Sequence, residues 1–422
     1  MKNNVNWKSL TLGDVCTLRG GSAFSPSLQG RGAGDLPFIK VRDFNSPQNS
    51  IYINAADHWV AGEDATKIQG KPFEEGTSVF AKIGEALKHN RVRFLTRRTY
   101  IDNNLMGAIP KKGVIEPEFL FHILRTFDFA ASNSGTSVPY ITASALAQTP
   151  VLIPALHIQN RIASILDAYD KLMEVNRRRI GLLEEVKRRL FEEWFVHYRF
   201  PGNEDRVTTG ELPEGWKRVP IEQAYEGLYD GPHATPKPST NGPVFLGIGN
   251  ITESGQLDLS NVRHISETEF PNWTRRVTPR PGDIVFTYEA TLNRYAMIPR
   301  DFRGCLGRRL ALIRTEQASV YRNFLFLYFF SADWRETITR NILSGATVER
   351  IPLSKLPTFP INLPPQAIAA KFDRIVQPIF DQVEGIRKSN IVLQSQRDML
   401  LPRLISGQLP LWTAERELEA VA

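Results

Sequence analysis

Two long stretches of the chain carry apolar residues at alternating spacings of three and four. The first runs from about Ile158 to Trp194, and only Asn176 and Arg179 interrupt its apolar seam. The pattern predicts a coiled-coil helix, in which a buried Asn typically fixes the register or orientation of the partner helix. A surface helix packed on its own domain is the alternative, but a length of about 60 Å argues against it. The seam positions are Ile158, Ile162, Ile165, Tyr169, Leu172, Asn176, Arg179, Leu183, Val186 and Leu190.

The second stretch lies near the end of the chain, and Pro378 and Gly385 are expected to kink or loosen its early turns. Each helix is the natural partner of the other. Antiparallel packing would relate the flanking domains by a pseudo-twofold axis and act as a spacer of fixed length. The apolar positions of this stretch are Ile368, Phe372, Ile375, Ile379, Ile386, Leu393, Leu400 and Leu404.

The chain also repeats itself, with landmarks recurring in one order at offsets of about 205 to 210 residues. An ancient duplication explains this order, whereas any single match could arise by chance. The sequences between landmarks differ strongly, so the two copies are expected to share a fold and present different surfaces. The landmarks pair Trp7 with Trp216, Pro37–Ile39 with Pro243–Leu246, Glu75–Phe80 with Pro281–Phe286, Phe119–Phe121 with Phe324–Phe326, Gly135–Ile141 with Gly345–Ile351, and Val151–Pro154 with Ile361–Pro365.

Within each copy, short β-rich runs punctuated by Gly and Pro precede a helix near Phe119 or Phe324. We therefore expect a duplicated, mixed α/β (α+β) fold. Its expected segments are a first domain at 1–155, a central helix at 156–200, a second domain at 201–362, a C-terminal helix at 363–410 and a tail at 411–422.

The composition and charge of the chain limit the classes of protein to which it can belong. Lys and Arg number 52 against 45 Asp and Glu, a modest basic excess that suits a polyanionic partner without requiring one. With Cys16 and Cys305 as the only cysteines, and no metal-ligand spacing among the His residues, we expect no disulfide and no bound metal. The longest apolar run, Phe324–Phe330, is too short to cross a membrane, which predicts a soluble, cytoplasmic protein without a membrane partner.

Several motifs resemble the specificity subunit of type I restriction-modification systems, and the resemblance covers nearly the whole chain. Those of the first copy are similar to a target-recognition domain of that family. The motif near the end of the chain is similar to the family's terminal signature. The motifs are Ala81–Gly84, Ala86–Arg91, Tyr100–Asn104 and Gly135–Ile141 in the first copy, Gly282–Phe286 and Cys305–Arg309 in the second, and Leu400–Gly407.

The resemblance implies two target-recognition domains separated by two long antiparallel coiled-coil helices. Each domain would read one half of a split target in double-stranded DNA. The helices would fix the gap and dock methyltransferase subunits, two of them expected, and restriction subunits would join the full complex. These partners would carry out the catalytic steps, and they are expected to use S-adenosylmethionine, ATP and Mg. This chain would hold no cofactor.

The sequence lacks the motifs that such chemistry needs. No Asn/Asp-Pro-Pro-Tyr/Phe motif for holding a flipped adenine occurs, since Pro364-Pro365 is followed by Gln366. No GxxxxGK[ST] phosphate loop is present. Glu185-Val186-Lys187 matches a nuclease ExK pattern superficially, but it falls on the seam helix instead of a strand. We expect no catalytic residue.

Candidate DNA-contacting residues cluster in the loops of the repeat, because phosphates favour Lys, Arg and small polar donors and base edges favour Arg, Asn and Gln. The first domain contributes Lys40, Arg42, Lys82, Lys88, Asn90, Arg91, Asn104, Thr136, Ser137 and Tyr140. The second contributes Asn250, Tyr288, Asn293, Arg294, Arg308, Arg309, Thr347 and Arg350.

Each candidate has a structural alternative. Arg91 and Arg93, which alternate with apolar residues, also suit the solvated face of an edge strand, and Tyr140 and Tyr288 also suit caps on a domain core. The basic clusters 177–179 and 187–189 could contact spacer DNA or acidic partner surfaces, or simply balance neighbouring Glu residues of the coiled coil.

The second copy departs from the first, because Glu349-Arg350 replaces Pro-Tyr and Glu289 stands where a basic or polar residue is expected. Two alternative functions remain open. A scaffold whose duplicated domains bind protein partners would lack the salt-dependent DNA affinity of a phosphate-contacting protein. A fragment of a fused restriction enzyme is disfavoured by the start at Trp7 and the end just past the second helix.

Overall fold

A computed structural model describes residues 7–131, 139–205, 211–315, 320–343 and 348–419. The chain divides into two compact units. Unit 1 comprises residues 1–177 and 388–422, and unit 2 comprises residues 178–387. Thr136, Ser137 and Thr347, which the sequence singles out as DNA contacts, lie outside the described residues.

The strands of the described chain are short. In unit 1 they are β1 (Lys8–Thr11), β2 (Cys16–Gly20), β3 (Leu36–Ile39), β4 (Tyr52–Ile53), β5 (His58–Val60), β6 (Ser78–Ala81), β7 (Val92–Leu95), β8 (Tyr100–Ile101), β9 (Leu105–Pro110) and β10 (Pro150–Ile153). In unit 2 they are β11 (Lys217–Pro220), β12 (Gly227–Asp230), β13 (Ser239–Leu246), β14 (Arg263–His264), β15 (Ile284–Thr287), β16 (Tyr295–Met297), β17 (Gly304–Leu306), β18 (Leu310–Arg314) and β19 (Pro360–Leu363).

The helices include two that are far longer than the rest, α4 and α8. The set is α1 (Leu12–Val15), α2 (Pro117–Arg125), α3 (Ala143–Ala147), α4 (Leu156–Phe191), α5 (Phe270–Trp273), α6 (Arg322–Tyr328), α7 (Ala332–Asn341), α8 (Gln366–Ile405) and α9 (Leu411–Glu419). A π-helical turn, Glu192–Val196, follows α4. No helix of the described chain is long and apolar enough to cross a membrane.

Unit 1 is built on a five-stranded sheet of order β2-β9-β6-β7-β4 and a three-stranded sheet of order β5-β3-β8. In the second sheet β3 runs parallel to β8 and antiparallel to β5. All four residues of β6 are buried, since apolar clusters cover both faces of the strand. Strand β1, at the start of the first domain, pairs with β10, at the end of that domain.

Unit 2 repeats this plan with a sheet of order β12-β18-β15-β16, a sheet of order β14-β13-β17 and the pair β11–β19. Strand β13 runs parallel to β17, as β3 runs parallel to β8. The matching topology supports the duplication that the repeated landmarks predict. An aromatic-rich core lies beneath the larger sheet of this unit, centred on α6 and on Trp334.

The long helices pair antiparallel within each unit, as the seam pattern predicts. In unit 1, Asn176 Nδ2 on α4 donates to Asn390 Oδ1 on α8 at 2.9 Å. In unit 2, Glu184 on α4 pairs with Arg387 on α8 at 3.0 Å. Advancing along α4 thus means moving back along α8. Helix α8 continues unbroken through Pro378 and Gly385.

A buried ionic cluster fixes this helix pair to the first domain in unit 1. Asp170 on α4 is fully buried and lies 2.6 Å from Arg397 of α8 and 2.6 Å from Arg125 of α2. Nearby, His122 of α2 contacts Asp167 of α4 at 2.8 Å. Burial alone would raise the pKa of Asp170, but Arg125, Arg397 and His122 outweigh it and hold that pKa below its ordinary value.

Candidate nucleic-acid interface

In unit 1, backbone hydrogen bonds bring three distant segments together where β6 ends. The Lys82 N–H donates to the carbonyl of Asn104 at 3.0 Å, and the Ile141 N–H donates to the carbonyl of Lys82 at 2.9 Å. An isolated bridge between Ile83 and Tyr140 continues the pairing. The side chains of Lys82, Asn104 and Tyr140, which the sequence singled out, therefore emerge from neighbouring backbone segments.

The corresponding backbone pattern occurs in unit 2 where β15 ends. The Tyr288 N–H donates to the carbonyl of Arg309 at 3.2 Å, and the Ile351 N–H donates to the carbonyl of Tyr288 at 2.8 Å. A bridge joins Glu289 to Arg350. Tyr288, Arg309 and Arg350 thus occupy the places of the Lys, Asn and Tyr in unit 1, so one framework presents two different sets of side chains.

A glycine completes each framework by allowing a close backbone approach. The Gly21 N–H donates to the Leu105 carbonyl at 3.1 Å, and the Gly231 N–H donates to the Leu310 carbonyl at 2.9 Å. A Cβ at position 21 would lie 2.1 Å from the carbonyl oxygen of Asp102. One at position 231 would meet a backbone carbonyl oxygen at 2.3 Å. Only glycine fits these positions without moving the strand ends.

Three of the predicted residues in unit 1 are partly or fully exposed where these segments meet. Lys82 is half-buried, and its Nζ approaches to 3.0 Å the position that a Cβ on Gly20 would take. Asn104 and Tyr140 are exposed. Among the described residues, neither the ammonium of Lys82 nor the carboxamide of Asn104 has a hydrogen-bond partner that would need to be displaced.

Other predicted residues of unit 1 already have protein partners. Lys40 Nζ donates to Gln29 Oε1 at 2.6 Å, and Arg42 pairs with Asp57 at 3.1 Å. Burial, followed by the positive charges of Lys40 and Arg42, lowers the pKa of His58. These cations therefore raise the local positive potential at the ends of β3 and β5.

Three further predicted residues lie nearby: Lys88 belongs to the 3₁₀ turn Glu85–His89, and Asn90 and Arg91 lie between that turn and β7. Asn90 adopts a left-handed conformation with φ 48°, and its Oδ1 accepts from the Phe129 N–H at 2.9 Å. Lys88 pairs with Glu85 at 2.7 Å, and Arg91 donates to Asn45 Oδ1. Asn90 thus stabilises a turn. Lys88 is exposed, so a phosphate can replace the Glu85 carboxylate as its ion-pair partner.

The edge-strand interpretation of Arg91 and Arg93 is wrong, because β7 has neighbours on both sides in the sheet. Arg93 is half-buried, and its guanidinium donates to the carbonyls of Val92 and Phe44. Burial, followed by nearby arginines, lowers its pKa to about 10. Arg93 is therefore a structural cation.

In unit 2, the two Asn candidates already have hydrogen-bond partners within the protein. Asn250 closes a loop by accepting from the Gly247 N–H at 2.9 Å and donating to the carbonyl of Asp258 at 3.0 Å. Asn293 has φ 59° and accepts from the hydroxyl of Tyr295 at 3.4 Å. Both Asn side chains therefore already serve local structure.

The basic candidates of unit 2 are more accessible. Arg294 pairs with the exposed Glu253 at 3.0 Å, and Arg309 pairs with Glu289 at 3.2 Å. Arg308 and Arg350 are exposed, and neither side chain has a carboxylate partner among the described residues. Glu289, unexpected in a DNA-contacting loop, is accounted for by its pairing with Arg309.

Tyr288 packs within the apolar core of unit 2 and is 5% exposed. Its hydroxyl lies 3.4 Å from His233 Nε2, and burial, followed by nearby Asp230 and Glu289, raises its pKa to about 12. This placement favours a core cap over a base-stacking ring. Tyr140 is 41% exposed.

Sequence reasoning missed Arg263 of β14 and His233 of the loop after β12. Arg263 lines a surface depression together with Arg308 and Arg309. The two-residue strand β14 carries no periodic signal that could have revealed it. Among the described residues, no group of three or more His, Cys, Asp or Glu side chains is arranged to hold a metal ion.

Comparisons with known proteins agree with this geometry. Residues 4–185 match the model of the type I restriction modification DNA specificity domain. The MjaIX specificity subunit of a type I restriction enzyme from Methanocaldococcus jannaschii is 23% identical over 417 residues, covering 96% of this chain and 94% of that protein. Over nearly its whole length the chain is similar to type I restriction-modification specificity subunits.

Further similar proteins match both halves of the chain. The EcoBI specificity subunit from Escherichia coli is 20% identical over 436 residues, covering 97% of this chain and 88% of that protein. The S subunit structure from M. genitalium shares its fold, with a TM-score of 0.60, 13% identity and coverage of 96% of this chain and 97% of that one. The matched domain and the named relatives are all specificity domains or specificity subunits of type I restriction enzymes.

Proposed function

We propose that this specificity subunit reads a bipartite DNA target, one half with each domain. The observation that carries the proposal is the shared backbone framework at the ends of β6 and β15, which presents Lys82, Asn104 and Tyr140 in one unit. In the other unit it presents Arg309 and Arg350. Two readers with one fold and different side chains suit a target whose halves differ in sequence.

The recognition domains span residues 1–155 and 201–362 in this proposal, with the helices at 156–200 and 363–410 between and after them. Antiparallel contacts such as Asn176–Asn390 within unit 1 hold the helix register. A fixed register sets the number of base pairs between the half-sites, as domain spacing does in dimeric DNA-binding proteins.

Apolar side chains left exposed on the helices provide docking surfaces for methyltransferase subunits. In unit 1, Ile391 of α8 is 70% exposed, and Val175, Val392 and Met399 are also exposed. In unit 2, Leu182, Val186 and Ile375 of the long helices are exposed. The prediction that Val186 and Ile375 lie in the buried seam is therefore wrong. Exposed apolar side chains that form a contiguous patch mark a protein interface.

Two methyltransferase subunits, one for each docking surface, and restriction subunits would complete the assembly. The partners would use S-adenosylmethionine for methyl transfer to adenine, and ATP with Mg for translocation and cleavage. This chain supplies binding energy and spacing instead of reacting groups. Its own contribution to the reaction is the choice of DNA site.

The test is a methylation map. The chain is co-expressed with the methyltransferase subunit of its system in a methylation-free host, and methylated adenines are located genome-wide by single-molecule sequencing. We expect a split, asymmetric motif, of which one half alone changes when residues 7–155 are exchanged for those of another specificity subunit. A soluble complex that gives no chain-dependent methylation would instead favour a protein-binding scaffold.

Point variants sharpen this test. Lys82→Ala is expected to alter or abolish the half of the motif read by the first domain and to leave the other half intact. Lys112→Ala is the control, since Lys112 is a lysine of unit 1 that is exposed and follows the end of β9 opposite to Asn104. Arg350→Ala is expected to affect only the other half of the motif. Equal effects of the Lys82 and Lys112 variants would contradict the assignment of the site.

A further inference from the structure

Three arginines surround one surface depression in unit 2. The depression has a volume of about 210 Å³ and is lined by Phe245, Gly247, Ile248, Arg263, Arg308 and Arg309. It lies where β13 and β17 end and where β14 begins. Its volume is several times the roughly 30 Å³ that one water molecule occupies in the liquid, so it can admit a group of several heavy atoms.

Two of the three guanidinium groups have no acceptor within the described part of the chain. Arg263 lies over the ring of Phe245, with its Cζ 4.7 Å from the ring centroid, and Arg308 is exposed. Arg309 differs, because its Nε lies 3.2 Å from Glu289. Three cations therefore face one carboxylate, which leaves a local excess of positive charge.

Arg303 of unit 2 provides a comparison, because it is also stacked on an aromatic ring but serves the structure of the protein. Arg303 lies 4.9 Å over the ring of Phe270 and also pairs with Glu267. Arg263 has the same stacking arrangement but no carboxylate partner. Gly247 leaves space for it, since a Cβ there would approach Arg263 Nη2 to 3.2 Å.

We propose that Arg263 and Arg308, supported by Arg309, bind a phosphate group of the DNA backbone; the proposal rests on DNA binding by the second domain. Guanidinium groups match phosphate oxygens in geometry as well as in charge. Arg263, whose guanidinium lies over the Phe245 ring, is poorly placed to extend to base edges in a groove. The site therefore positions the second domain on the duplex instead of reading its sequence.

The test measures affinity for a short random-sequence duplex over a range of salt concentrations. The full-length chain is used, co-purified with its methyltransferase subunit. Arg263→Ala and Arg308→Ala are each expected to reduce the slope of log K against log salt concentration by about 1. The methylation motif should remain unchanged, because a phosphate contact carries no base information. Arg303→Ala removes the same charge from a stacked arginine and is the matched control.

Two results would overturn the phosphate site. One is a motif that relaxes at a single position in Arg263→Ala or Arg308→Ala, which would make that residue a base reader. The other is a salt slope that matches the Arg303→Ala control, which would show that neither guanidinium contacts DNA. Failure of the proposed function looks different, since the unaltered protein would then show no salt-dependent affinity for the duplex.

Discussion

Asp170→Asn removes the negative charge at the centre of the buried ionic cluster in unit 1. The substitution leaves Arg125 and Arg397 with side chains 15% and 9% exposed and without their shared carboxylate. Breaking a buried ion pair by removing one partner costs about 3–5 kcal/mol. Arg397 keeps Asp398 at 2.6 Å, so we expect the lower end of that range, about 3 kcal/mol.

The assay must report on unit 1 alone, because global unfolding of a chain with two compact units is not a two-state process. Hydrogen exchange resolved by mass spectrometry on peptides from α2 and from residues 156–177 and 388–405 gives that local readout. A loss of about 3 kcal/mol corresponds to an opening equilibrium roughly 150-fold more favourable. Exchange in those peptides should accelerate by that factor when opening is at equilibrium.

The control is Arg161→Ala, which breaks an ion pair with Glu415 that is also in unit 1 but is exposed. Exposed pairs contribute about 0–1 kcal/mol, so exchange should change little. If Asp170→Asn accelerates exchange no more than Arg161→Ala does, the buried cluster does not hold the helix pair to the first domain.

The same cluster gives a dependence on pH. Because the folded-state pKa of Asp170 lies below the ordinary value of 3.8, its ionised form contributes stability that is fully present above that value. This contribution is lost as the pH falls through the lowered pKa. In the Asp170→Asn variant, the stability of unit 1 should therefore fall less steeply as the pH is lowered, which the same exchange experiment can measure.

Three other substitutions probe separate features. Gly21→Val would place a Cβ 2.1 Å from the Asp102 carbonyl oxygen, so the methylation map should lose the half of the motif read by the first domain while the other half persists. Lys187→Met removes a buried ammonium that pairs with Glu184 at 2.8 Å and lies 3.7 Å from the centroid of the Phe380 ring, so calorimetry should find the unfolding temperature of unit 2 lowered; an unchanged or raised temperature would argue otherwise. Ile391→Glu should abolish co-purification of the methyltransferase subunit without altering thermal unfolding, whereas Ser395→Glu, also exposed on α8, should retain it.

The long helices could be predicted from sequence because their signal is local and periodic. The seam positions recur every three or four residues over many turns. Asn176 is a polar residue in this seam, which predicts a contact with a partner helix. The ion pair between Asp170 and Arg397 could not be predicted in the same way. A charged residue on a helix normally indicates solvent, and only the packing of α2 on this face encloses the pair.

The candidate site was partly predictable for a different reason. The repeat aligned Gly135–Ile141 with Gly345–Ile351, and both segments lead into the backbone framework in the structure. The roles of individual side chains could not follow from that alignment. Asn90 and Asn250 have the right chemistry for adenine, but local backbone groups already bond to Oδ1 of Asn90 and to both Oδ1 and Nδ2 of Asn250. Arg263 entered the site only through long-range strand pairing.

The division of the chain into units has a consequence for its synthesis on the ribosome. Residues 388–422 belong to unit 1, and their Leu393, Leu400, Leu404 and Ala414 are buried in its main apolar core. Unit 2, at 178–387, leaves the ribosome before those residues do. The domain that is translated first is therefore the one completed last, and its unfinished apolar surface must stay protected from aggregation while all of unit 2 emerges.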